Sequence, residues 1–412
     1  MKKLLGITLG IMTALGGFVD LGQIVFTTQA AALFGYRLMW AILLGTVGII
    51  VYMEMCGRVA VVAHEPVFAV VRTRLGFRFG LITLIASNLL NLITCAAELG
   101  GIAIILHLLT GWPERLLLVA STLALGGAIL LLSFDWIERT FGLSGLLMIM
   151  FAVSAVTLHP DWSHLARALL PTHIPSASSR QILLYAYFAV GIFSAMLMVY
   201  EVHFYSSGAI EEDWTTKDLG ENFMVSSLGS LLGSLLTVAL LVLGALIFQP
   251  RRIFPETLST TIIAGAFPFA QKALVLCLLG ALACIAGAAV ETALSGAYNI
   301  CQFFNLEWGK NRSPKSVPVF TTVWIAMFAL AMVIALTGLR PLQLVDISII
   351  FGMLIMPLTY YPILRLAADK NVMGTHVNSK FVTIIGMLFL VLITIAALAA
   401  IPLMILTQSG KP

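Results

Sequence analysis

Apolar runs of about 18 residues or more recur along the whole of this chain, and no soluble fold absorbs so many of them. A run of that length crosses the hydrocarbon core of a bilayer as a helix. There the backbone has to satisfy its own hydrogen bonds, so helices are the economical answer. Charged residues make up 10% of the 412, against about 25% in soluble domains, and mean hydropathy is +1.03. The expected fold is an all-α polytopic membrane protein with about 11 transmembrane helices in a single domain. The spans are placed at roughly 5–34, 38–57, 80–109, 114–134, 140–158, 181–210, 221–248, 270–302, 318–338, 343–364 and 381–407.

The opening "MKKLLGITLGIMTALGG" has the look of a signal peptide, but its apolar pattern continues through Asp20, so it is read as the start of the first membrane helix. The mixed Val, Phe and Arg stretch from Ala63 to Phe77 reads as a short helix on the cytoplasmic surface. Cysteines 56, 95, 277, 284 and 301 lie in or beside apolar runs without a CxxC pair, which argues for small core residues and against disulfides or zinc. The net charge of +4 gives no reason to expect nucleic acid, and no cofactor is expected. Lys and Arg fall more often on the side that holds Arg58, Arg72, Arg74, Arg78, Lys310, Arg312 and Lys315. This predicts a cytoplasmic N-terminus in a multi-pass protein of a bacterial inner membrane.

Charges inside spans are costly enough to mark function by default. The set is Asp20, Glu98, Glu201, Glu291 and Asp346. Asp20 and Glu201 stand in the first and sixth spans, five apart, and each interrupts an apolar run. Secondary transporters built from two inverted five-helix repeats break their first helices at the bilayer midplane and bind substrate there. The spacing predicts that architecture, with repeat one at about 5–158, repeat two at about 181–364 and an extra helix at about 381–407. Helices 1 and 6 are expected to break near Asp20 to Gln23 and near Ala195 to Tyr200. Asp20 then either completes a cation site or simply caps the helix break. In "SAMLMVYEVHFYSSG" the residues Ala195, Met198 and Glu201 recur every three positions along one face. Met198, Tyr200 and His203 are each open to a packing role.

These stretches resemble the Nramp family of divalent metal-ion transporters. The family's helix 1 motif is Asp-Pro-Gly-Asn, followed by Gln-Ala-Gly-Ala and Phe-Gly-Tyr. Here the run is "DLGQIVFTTQAAALFGYRLMW": Asp20, Gly22, Gln29, Ala30, Phe34, Gly35 and Tyr36 match, Leu21 replaces the proline and Gln23 the asparagine. Helix 6 of the family reads Gly-Ala-Thr-Val-Met-Pro-His-Asn. Ala195 and Met198 match, while Val199, Tyr200 and Glu201 fall on the proline, histidine and asparagine. In "TCAAELGG" Glu98 matches a helix 3 glutamate and Cys95 replaces an aspartate, and "LAADKNVMG" is similar to the stretch after helix 10. The resemblance implies a LeuT-like fold and an ion held by Asp20, Gln23, the Ala195 carbonyl and the Met198 sulfur. Carboxylate and amide oxygens with a thioether suit Mn²⁺ or a similar ion, with Mg²⁺ the harder competitor.

The departures carry their own expectations. Gln23 is one methylene longer than asparagine, about 1.5 Å of extra reach. Loss of both prolines removes two helix breakers, and helix 6 shows no obvious replacement. Glu201 either faces the ion, giving two carboxylates for one divalent charge, or serves the inner vestibule and packing. Glu98 and Tyr200 stand where the family gates or moves protons. With tyrosine in place of histidine, proton coupling is expected to be weak or absent. The leading function is a secondary transporter of divalent metal cations working by alternating access. Competing readings are an amino-acid or organic-cation transporter of the same fold, or a non-transporting metal-responsive receptor. The absence of an HExxH or similar context argues against an enzyme.

Overall fold

The computed structural model describes residues 19–132, 134–171 and 178–412. The first half of the expected first span, with Gly16 and Gly17, lies outside the described residues. Among those described the chain is helical. Its helices are α1 (Leu21–Phe34), α2 (Met39–Ala63), α3 (Val67–Leu75), α4 (Phe77–Thr110), α5 (Glu114–Leu131), α6 (Phe134–Gly145), α7 (Ile149–Thr157), α8 (Trp162–Arg167) and α9 (Ser179–Met196). They continue with α10 (Val199–Glu211), α11 (Leu219–Leu243), α12 (Leu258–Ala266), α13 (Ala270–Phe304), α14 (Pro318–Leu336), α15 (Pro341–Ala367), α16 (Lys370–Met373) and α17 (Lys380–Leu406).

Nine helical stretches among the described residues are long and apolar enough to cross a membrane. One of them, Leu21–Ala63, is 43 residues long. At about 1.5 Å per residue that is twice a bilayer's thickness. It divides at Gly35, whose φ of 60° only glycine adopts cheaply, so α1 and α2 are separate spans. Leu143–Thr157 supplies a shorter fifth span. The count therefore agrees with eleven in a LeuT-like five-plus-five arrangement, and among the described residues the sixth span is broken between α9 and α10. The spans are apolar all round, as membrane helices must be. Many large apolar side chains remain exposed, among them Leu123, Leu131, Phe381 and Leu398, where lipid would meet them.

The long helices α4 and α13 pack along each other, α10 packs on α13 and α15 on α4, and α9 packs on α1, α2 and α15. α3 departs from the surface helix expected. Val67 to Val71 are buried, and Phe68 packs with Leu84 and Phe303 and edge-on to His203. Only its last turn, with Arg72 and Arg74, is polar. A five-residue apolar run buries more area between helices than it would on a headgroup surface. The five cysteines are all buried and free.

Candidate functional site

Two helix starts face each other in the middle of this bundle. α1 begins at Leu21 because Asp20, in an extended conformation, caps it: Asp20 Oδ1 accepts the Gln23 N–H at 2.8 Å. Glu98 of α4 accepts the N–H of Leu21 at 3.2 Å. Two carboxylates thus meet the positive end of one helix dipole.

The second start is at Met198. α9 ends at Met196, the Leu197 N–H turns back to Ser194 O at 3.0 Å, and Met198 adopts φ −38° and ψ 100° before α10 begins at Val199. The sixth span is therefore broken despite the missing proline. One tertiary bond meets a carbonyl that the break frees, and two more hold its flanks. The Ala195 carbonyl accepts from Gln23 Nε2 at 3.1 Å, Ser194 Oγ donates to Ile349 O at 2.6 Å, and Ser295 Oγ donates to Tyr200 O at 3.1 Å. A freed carbonyl costs little once another element supplies its donor.

Asp20, Ala195, Met198 and Tyr200 line one cavity with Thr94 of α4 and Ser348 of α15. Its volume of about 30 Å³ accommodates one or two waters. No Lys or Arg is among the lining residues. Asp20 is 8% exposed, Gln23 1% and Met198 5%, so an ion here would be nearly dehydrated. Tyr200 donates its hydroxyl to Met198 Sδ at 3.4 Å. Gln23 reaches across from behind, with Nε2 3.9 Å from the sulfurs of both Met196 and Met198.

Glu201 is not brought to this cavity. It sits in the first turn of α10 with its carboxyl hydrogen-bonded to Glu291 of α13, and its Oε2 has no hydrogen-bond partner. Cys95 gives its thiol to Ala289 O at 3.7 Å. His107 bonds Trp112 O at 2.7 Å near a helix end, and His203 is buried against Phe68. Sequence reasoning missed Met196, Ser194, Thr94 and Ser348. Hydroxyls in membrane helices usually bond their own backbone, as Thr28 does to Ile24 O, so nothing in sequence separates those that line a cavity.

A family model described as natural resistance-associated macrophage protein-like matches residues 10–403. The chain is similar to the divalent metal cation transporter MntH of Bacillus subtilis, with 21% identity over 392 residues, 91% of this chain and 87% of that protein. MntH of Ralstonia nicotianae is 25% identical over 406 residues, covering 93% and 87%. Among solved structures, the Eremococcus coleocola manganese transporter in complex with an aromatic bis-isothiourea compound matches 95% of this chain and 85% of its own, with 20% identity and a TM-score of 0.74. A nucleobase-cation-symport-1 family transporter in a closed conformation shares the fold at a TM-score of 0.58, 16% identity and coverage of 97% and 91%.

Proposed function

The chain belongs to the Nramp family of divalent metal-cation transporters, and from that membership we propose that it carries Mn²⁺ or a similar ion across a bacterial inner membrane by alternating access. Repeat one is assigned to about 5–158, repeat two to about 181–364, and α17 is the additional helix. The N-terminus is placed in the cytoplasm on the distribution of Lys and Arg.

The observation that carries this reading is the convergence of Asp20, Ala195 and Met198 on one buried cavity between two helix starts, with Gln23 tied to Ala195. Asp20 supplies the anionic ligand, Gln23 an amide, Ala195 a carbonyl freed by the helix break, and Met198 a sulfur. Such a donor set favours Mn²⁺ or Cd²⁺ over Ca²⁺ and Mg²⁺. Glu201, hydrogen-bonded to Glu291, stands outside the cavity lining. Glu98 holds the start of α1, and Tyr200 closes one side of the cavity. An amino-acid substrate would need a partner for its carboxylate, and no cation is among the lining residues.

Uptake of Mn²⁺, Cd²⁺, Ca²⁺ and Mg²⁺ into proteoliposomes tests the proposal. Mn²⁺ and Cd²⁺ are expected to enter, and Asp20→Ala to abolish that entry. Wild-type protein that binds Mn²⁺ without moving it would support a receptor instead. Full uptake by Asp20→Ala would move the site elsewhere.

A further inference from the structure

A second polar cavity lies at the far end of α1, about 20 Å along that helix from Asp20. It holds about 90 Å³ and is lined by Tyr36, Arg37, His164, Arg167, Ala168 and Leu170. Two elements build it. Tyr36 and Arg37 stand in the short turn Gly35–Leu38 between α1 and α2, and the others belong to α8 and the residues just after it. Asp161 caps α8, which sets His164 and Arg167, three positions apart, on one face of its turn. The rings of Tyr36 and His164 meet edge-on at 5.9 Å and seat the turn against α8.

The cavity has a surplus of positive charge and of donors. Neither Arg37 nor Arg167 forms an ion pair among the described residues. Arg167 gives Nε and Nη2 to Ser163 of its own helix, at 3.2 and 3.1 Å, which leaves Nη1 to donate elsewhere. The Tyr36 hydroxyl is buried without a hydrogen-bond partner among the described residues, and an acceptor oxygen in the cavity satisfies it. The acid nearby, Asp161, is committed to the N–H groups of Ser163 and His164 and to the Ser163 hydroxyl, and it is not a lining residue.

Two guanidinium groups, an imidazole and a phenol that converge from two elements suit an anion with several oxygens. Arginine matches phosphate with paired N–H groups. The volume is well below the roughly 300 Å³ of a site for a drug-sized ligand, so a single small oxyanion group fits and an extended organic acid does not. We infer that this cavity binds a phosphate group, held by Arg37, His164, Arg167 and the Tyr36 hydroxyl, and that the bound group ties the turn between α1 and α2 to α8. A lipid headgroup and a free phosphate ion both offer that chemistry. Trp162 and Leu170, 58% and 66% exposed beside α8, are the contacts of a helix that lies in a membrane interface, and they favour the headgroup. The site stands apart from the cavity at Asp20 and does not depend on the ion proposed there.

The test uses full-length protein stripped of lipid in detergent and free of divalent metal. Short-chain phosphatidylglycerol is titrated by native mass spectrometry and inorganic phosphate by calorimetry. Phosphatidylglycerol is expected to bind, and the double variant Arg37→Gln, Arg167→Gln to lower its affinity about tenfold or more. Both arginines are exposed, so the melting temperature of that variant should stay near wild type. Tyr36→Phe removes one oxygen, keeps the ring contact with His164 and should weaken binding several-fold, which serves as a second reading if the double variant melts early. Inorganic phosphate that binds with the same losses and competes with the lipid would support the site and name the free ion as its ligand. Equal binding of diacylglycerol with the same chains would put the affinity in the chains and overturn the phosphate site. Failure of both probes to bind, or binding untouched by the variants, would overturn it as well.

Discussion

The Glu98 carboxylate accepts the backbone N–H of Leu21 at 3.2 Å, across 77 positions of sequence. The bond fastens the third span to the helix start that carries Asp20. Its other oxygen, Oε2, is buried without a hydrogen-bond partner. Glu98 is therefore a positioning group for the cavity, which it does not line.

Glutamine at this position keeps an oxygen for the Leu21 N–H, whereas alanine leaves that donor unmet. Glu98→Ala is expected to cost about 1–3 kcal/mol of stability and to weaken Mn²⁺ binding, while Glu98→Gln retains most of both. Thermal unfolding and calorimetric titration of the two variants check this. Equal damage in both would mean that the charge matters and the hydrogen bond does not.

Met198→Ala should lower affinity for Cd²⁺ about tenfold and for Mn²⁺ by less, with Mg²⁺ least affected, since sulfur favours softer ions. Competition binding with the three ions measures the order. Equal losses would reduce Met198 to packing.

The fold was legible because charge in a membrane span is rare enough to be informative, and because two interruptions five spans apart fit a repeat, whereas Met198 was singled out beside Asp20 only through the family resemblance. The helix 6 break was less legible. Val199 replaces the expected proline, and the bonds around the break involve Gln23, Ser194 and Ser295, partners far apart in sequence or ordinary in type. Glu201 shows the limit of spacing. The i, i+3, i+6 pattern holds only along a continuous helix, and the break at Leu197 to Met198 turns Glu201 towards Glu291 instead. The apolar face of α3 was equally ambiguous, because lipid and protein select the same residues.

Gly191 allows α1 and α9 to meet. A Cβ there would lie 2.0 Å from Phe26 Cε1, and that ring is held against Tyr187 and Phe188 at centroid distances of 5.3 and 5.0 Å. Gly191→Ala is expected to destabilise the protein by about 1–3 kcal/mol or more, because the aromatic cluster has no room to retreat. A melting temperature at or above wild type would show that the two helices separate without penalty.

Glu201→Gln is expected to weaken every tested divalent ion modestly and without reordering them. The carboxyl is hydrogen-bonded to Glu291 and is not among the residues lining the cavity, so it acts on the ion only over distance. A changed ion order in uptake assays would instead place Glu201 on the ion.

Proton movement should be weakly tied to metal uptake. Coupling needs a group that titrates near working pH and communicates with the ion. Histidine does so at about 6.5, whereas tyrosine at about 10 does not. The position matched to the family histidine is Tyr200, whose hydroxyl is engaged with the Met198 sulfur, and Cys95 holds the place of a helix 3 aspartate. His203 is buried beside Phe68 and is absent from the cavity lining. Asp20 and Glu98 are the acids left at the site, and Glu98 is fixed to the Leu21 N–H. Proteoliposomes loaded with a pH dye should therefore acidify little during Mn²⁺ uptake, and uptake should change little between external pH 6 and 8. Strong acidification that disappears in Glu98→Gln would establish Glu98 as the proton carrier and overturn the expectation of weak coupling.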